Sequence, residues 1–127
     1  MTASLTPSLA LDFITALSAD IRAAVVFDAS GAHVAGPARL ADAARGLADV
    51  SGEDTWGELE GEEARGKVFA ARDERHTIVV VTGPFALARV TRHDLRSALS
   101  ALGGQNAPIG LPGRLDEART SALLGAV

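Results

Sequence analysis

Two continuous runs of apolar, mostly β-branched residues constrain this chain more than anything else in it. One is Ala23-Ala24-Val25-Val26-Phe27, ending in Asp28-Ala29-Ser30-Gly31. The other is Thr77-Ile78-Val79-Val80-Val81. Neither alternates apolar with polar positions, so each reads as a strand covered on both faces. The remaining strand candidates, at 32–36 and 56–60, are short or mixed. A sheet buries its middle and exposes its edges. The two runs therefore belong at the centre, side by side, although about 50 residues separate them.

The rest of the chain falls into order around them. Thr6-Pro7 is a helix start, a capping hydroxyl followed by proline at the first helical position. Leu9, Phe13, Ile14, Leu17 and Ile21 recur behind it at helical spacing. The first strand covers 22–28. Residues 28–31, with aspartate first and glycine fourth, form a type I turn into a second strand at 32–36, ended by Pro37. Leu40, Ala43, Ala44, Leu47 and Val50 give a second helix one apolar stripe. After a loop at 51–55, a third strand spans 56–60, a turn 61–64, a fourth strand 65–72 and a fifth 76–82. Gly83-Pro84 breaks the sheet. Thr91 with Asp94 resembles a capping box, and a third helix runs to about residue 102 with Leu95, Leu99 and Leu102 inward. The body of the chain is thus 1–102. Residues 103–113, rich in glycine and proline, read as a linker. Residues 114–127 form a tail in which Leu115, Ala118, Ala122 and Leu123 share one helical face, expected to dock on the body or on a second subunit.

This order predicts an α/β (α+β) three-layer sandwich. Its sheet has five antiparallel strands in the order 2-1-5-4-3. The second helix carries the chain across one face, and the first and third helices cover the other. The second and third strands are its open edges.

Composition narrows the function. The chain has 127 residues, enough for one domain with a sizeable core. It has no cysteine, which removes disulfides, thiolate metal sites and a cysteine nucleophile, and fits a cytoplasmic protein. A net charge of −4 argues against nucleic acid as a partner. No apolar run approaches the roughly 18 residues of a membrane span, and no signal peptide is recognisable. Lys67 is the only lysine beside many arginines and alanines, a GC-rich coding bias. His33, His76 and His93 stand at no metal-ligand spacing, and no phosphate-binding loop is present. His93-Asp94 near Ser97 is too little for a nucleophile relay, because a triad is defined by geometry. No catalytic, cofactor or metal residue is assigned.

Four patterns remain. The acidic segment Glu53, Asp54, Glu58, Glu60, Glu62, Glu63 lacks the spacing of a calcium loop. It reads instead as cross-strand pairing, Glu60 opposite Arg65 and Glu58 near Lys67. Arg89, Arg92, His93 and Arg96 fall at i, i+3, i+4 and i+7, a solvated helix face or a docking patch for an acidic partner. Trp56, the only tryptophan, opens the third strand. Ala41, Ala44 and Ala48 form a small-residue ridge beside the inward stripe of Leu40, Ala43 and Leu47, either plain helix propensity or a seam for another helix.

Three stretches carry a resemblance. IRAAVVFDASGAHVAG is similar to the first hairpin of the roadblock (roadblock/dynein light chain) family. GELEGEEARGKVFAARDERHTIVVVT resembles its meander, and FALARVTRHDLRSALSAL its closing segment. The resemblance covers about residues 8–102. It implies a bacterial, non-enzymatic, homodimeric adaptor or regulator of a Ras-like small GTPase, as activator or scaffold. It also implies pairing through the second helix and third strand, which places Ala41, Ala44, Ala48, Trp56, Glu58 and Glu60 at the dimer interface. The rival reading is a sensory or ligand-binding module of PAS- or profilin-like layering, which needs a cavity with convergent polar groups.

Overall fold

The computed structural model describes residues 6–50, 56–103 and 111–127. Its elements are α1 (Pro7–Leu17), β1 (Ile21–Asp28), β2 (His33–Ala35), α2 (Ala38–Val50), β3 (Trp56–Glu63) and β4 (Gly66–Arg72). They continue with β5 (His76–Thr82), α3 (Ala88–Ala101), β6 (Leu111–Arg114) and α4 (Glu117–Gly125). One sheet holds all strands in the order β2-β1-β5-β4-β3-β6. β1 and β5 are central and antiparallel, Val25 opposite Val79 and Val26 opposite Ile78, as the two apolar runs require.

Alternation along these strands divides the core in two. On one face Ala24, Val26, Phe69, Ala71, Ile78 and Val80 meet Ala10 and Ile14 of α1, Leu95, Ala98 and Leu99 of α3, and Leu102 at the C-cap of α3. On the other, Val25, Phe27, Val68, Ala70, Val79 and Val81 meet Leu40, Ala41 and Ala44 of α2 and Leu123 and Leu124 of α4. Among the described residues, both faces of the sheet are covered by closely packed apolar side chains. Among the described residues, no helix is long and apolar enough to cross a membrane.

Local chemistry sets the boundaries. Thr6 caps α1, its Oγ1 accepting from the Leu9 amide at 3.2 Å. The inward face of α1 is Ala10 and Ile14, while Leu9 and Phe13 are 52% and 40% exposed. In the β1–β2 turn, Asp28 Oδ1 accepts from the amides of Ser30 (2.9 Å) and Ala32 (3.0 Å) and from the Ser30 hydroxyl (2.6 Å). Gly31 takes φ +85° there, a conformation that side chains resist. The expected capping box at Thr91 and Asp94 does not form. α3 starts four residues earlier, Leu87 at its N-cap makes no side-chain bond, and Thr91 and Asp94 are buried.

Three expectations are corrected. First, β3 runs through Gly61 to Glu63, and a two-residue turn, Ala64-Arg65, closes the hairpin. Glu62, not Glu58, therefore opposes Lys67, at 3.6 Å, and Arg65 pairs with Glu63 at 3.1 Å rather than with Glu60. Second, β3 is not an open edge. β6, inside the stretch read as linker, pairs parallel to it, with Leu59 opposite Gly113 and Glu60 opposite Arg114. Third, Ala41 and Ala44 of the alanine ridge do not face outward. Ala41 and Ala44 are 0% and 2% exposed, packed on the sheet, because α2 turns Leu40, Ala41 and Ala44 inward and leaves Ala43 half-buried. The side chains of Leu47, Ala48, Val50 and Trp56 lie outside the described residues, as do the loop at 51–55 and residues 104–110.

Candidate functional site

The pleat of β3 decides what the outer surface carries. Glu58 and Glu60 lie opposite Ala71 and Phe69, which point to the α1/α3 face, so both carboxylates point there too. α3 crosses above them. Residues i and i+4 on a helix are about 6 Å apart along its axis, and i and i+2 on a strand about 6.6 Å. The two spacings match. Arg92 pairs with Glu60, and Arg96 Nε donates to Glu58 Oε2 at 2.9 Å. These pairs are partly exposed, Arg92 at 40% with Glu60 at 24% and Arg96 at 43% with Glu58 at 17%. Each is worth at most about 1 kcal/mol. Two sets of residues that the sequence offers separately, an acidic interface strand and a basic docking patch, thus bind each other within the chain.

What remains of the basic patch is Arg89, exposed and without an ion pair among the described residues, and His93. His93 Nδ1 stands 3.7 Å from Asp94 Oδ1, beyond hydrogen-bond reach. His93, Arg96, Ser97 and Ser100 line an open depression of about 410 Å³. His33 and His76 lie elsewhere, on β2 and β5. Among the described residues, no group of three or more His, Cys, Asp or Glu side chains is placed to hold a metal ion.

The segment before α3 is the feature the sequence reading missed. Phe85 and Leu87 are 88% and 68% exposed, Val90 is 48% exposed, and Ala86 between the first two is 1% exposed. Lys67 reaches beneath this segment from β4 and donates from Nζ to the Ala86 carbonyl at 2.8 Å. The sequence signal was the large-small-large alternation of Phe85-Ala86-Leu87 immediately after the strand-breaking Gly83-Pro84.

On the opposite face, α4 sits on β3 and β4. Its N-cap Asp116 accepts from the Arg119 amide at 2.8 Å. Its buried residues are Thr120, Leu123 and Leu124, with Leu115 packed against the same core. Ala118 and Ala122, expected on that face, are exposed. The strands are shaped to receive it. A Cβ on Gly61 would collide with Thr120 Oγ1, and one on Gly66 would meet Leu124 Cδ2 at 2.9 Å. Arg65 Nη2 donates to the Ser121 carbonyl at 3.1 Å and hydroxyl at 3.2 Å, tying the hairpin tip to the helix.

No protein-family model and no curated protein matches the sequence. Solved structures do match the fold. The roadblock/LC7 domain from Streptomyces avermitillis aligns with a TM-score of 0.59 and 20% identity, over 72% of this chain and 93% of that one. MglB in a tetrameric arrangement aligns with a TM-score of 0.58 and 18% identity, over 74% and 82%. The gliding protein MglB from Thermus thermophilus gives 0.55 and 19%, over 74% and 83%. The sheet order, the three layers and these alignments agree, and the fold of this chain is the roadblock fold.

Proposed function

We propose that this chain is a non-enzymatic adaptor or regulator associated with a Ras-like small GTPase, acting in the cytoplasm as an activator or a scaffold. The supporting observation is the likeness to MglB structures across about three-quarters of the chain. The packing agrees with it. Both sheet faces are filled, so a partner is met on outer surfaces. Those surfaces are the α3 face, the 85–90 segment and the β2 and β6 edges.

Self-association belongs to the same proposal, with a seam different from the one the sequence suggested. β6 occupies the β3 edge, and Ala41 and Ala44 belong to the chain's own core. A homodimer forms with β6 and α4 in place, or by exchanging them between copies.

The test is capture on the immobilised chain from an extract of its own cells, in the presence of GDP and of a non-hydrolysable GTP analogue. The captured GTPase is then purified and titrated by calorimetry. Retention of a small GTPase with micromolar or tighter affinity, preferring one nucleotide state, is the expected result. Retention of no GTPase, or tight nucleotide binding by this chain alone, overturns the reading.

A further inference from the structure

We propose that residues 85–90 form a protein-docking surface that takes a carboxylate flanked by apolar side chains. The inference rests on the functional reading above, with that carboxylate on the small GTPase.

Single exposed apolar residues are common on protein surfaces. Three within six residues are a local concentration of exposed apolar side chains, and such concentrations are found at protein contact sites. Phe85, Leu87 and Val90 are 88%, 68% and 48% exposed, while Ala86 is 1% exposed. Folding alone selects the reverse, large apolar groups inside and alanine out. The segment is also held in place. The Ala86 amide donates to the Gly83 carbonyl at 3.4 Å, and the chain's only lysine, 17% exposed in its side chain, donates to the Ala86 carbonyl at 2.8 Å. A surface fixed before contact loses less conformational freedom on binding.

Charge chooses the partner. Arg92 and Arg96 are taken by Glu60 and Glu58. Arg89, among the apolar groups, has no ion pair among the described residues. Arginine and aromatic residues together are the composition of interface hot spots. A single unpaired arginine in this patch, on a protein of net charge −4, is a poor anchor for an anionic bilayer, which clusters of basic residues recognise. A single carboxylate on a protein surface fits it.

The experiment compares the wild type with Phe85→Ser/Leu87→Ser, Arg89→Glu and Arg89→Lys against the purified GTPase captured above. All of these side chains are exposed, and thermal unfolding checks that each variant folds. The first two variants are expected to bind at least about tenfold more weakly. The Arg89→Glu loss should shrink as salt rises, and Arg89→Lys should keep most of the affinity. A GTPase that binds every variant as it binds the wild type overturns the surface and leaves the functional reading standing. A wild type that binds no GTPase overturns the reading and this partner with it. Binding of the wild type, but not of the variants, to vesicles of phosphatidylcholine and phosphatidylserine in place of the GTPase overturns the proposal in favour of a membrane.

Discussion

Gly61 shows how one residue can mislead a reading of sequence and still be explained by structure. Glycine between charged residues signals a turn. Here it stands mid-strand because Thr120 of α4 lies where its Cβ would be. Gly61→Ala should lower stability by about 1–3 kcal/mol, the usual cost of overpacking. Combining it with Thr120→Ala, which removes the obstructing Oγ1, should recover part of that loss, a coupling that urea titration of both singles and the double measures. Alanine misleads in the same way, since it fits an exposed ridge and a tight core contact equally well. Ala44 is core. Ala44→Arg should therefore unfold the protein, at a cost of several kcal/mol for a buried unpaired charge, and far-ultraviolet circular dichroism reads it. Asp28 gives a pH signature. The Ser30 hydroxyl first, then the Ala32 amide, hold its carboxyl below the ordinary aspartate range. A depressed folded-state pKa contributes stability above the unfolded-state value, lost as pH falls through the folded one. Asp28→Asn should thus destabilise at neutral pH, and its urea midpoint should converge on that of the wild type in acid.

Among elements, legibility followed redundancy. β1 and β5 were plain because five consecutive residues in each repeat the same message, and their central, adjacent placement follows from burial on both faces. β6 was hidden because Leu111-Pro112-Gly113-Arg114 carries the marks of a linker. Proline and glycine are tolerated at a sheet edge, where one side of the strand needs no partner. The Arg–Glu pairing of α3 with β3 was half visible. Both charge sets were found, but only the crossing of helix over strand shows that their spacings match. For α4 the docking was expected and the inward face was shifted, because a nine-residue helix rich in alanine has little periodicity to read. Leu123→Asp should release α4 from the sheet. Faster hydrogen exchange at Leu115, whose amide donates to the Glu60 carbonyl at 2.9 Å, would report the release, with the β1 and β5 amides still protected. Equal exchange in variant and wild type would mean that α4 is held by contacts other than its leucines.

For the whole molecule, the sealed β3 edge separates two ways of forming an oligomer. Light scattering after size exclusion gives the mass of the intact chain. Truncation after Gly103 removes β6 and α4. It should lower the melting temperature and shift the chain towards higher-order species, because an unpaired edge strand and the apolar face of Leu59 and Val68 become accessible. A truncated chain as stable and as uniform in mass as the intact one would show that the cover has no protective role. The same cover has a consequence in time. Synthesis runs from the N-terminus, and β6 and α4 lie after every element they seal. On the ribosome, the sheet can therefore assemble through α3 while β3 still shows a row of free amides and carbonyls. Neighbouring nascent chains on one messenger meet in that interval, and a hydrogen-bonding edge is the part of an incomplete fold most ready to pair with the wrong strand. The glutamates of β3 give little protection during that wait, because Glu58 and Glu60 are already paired with Arg96 and Arg92 of α3, and Glu62 and Glu63 with Lys67 and Arg65.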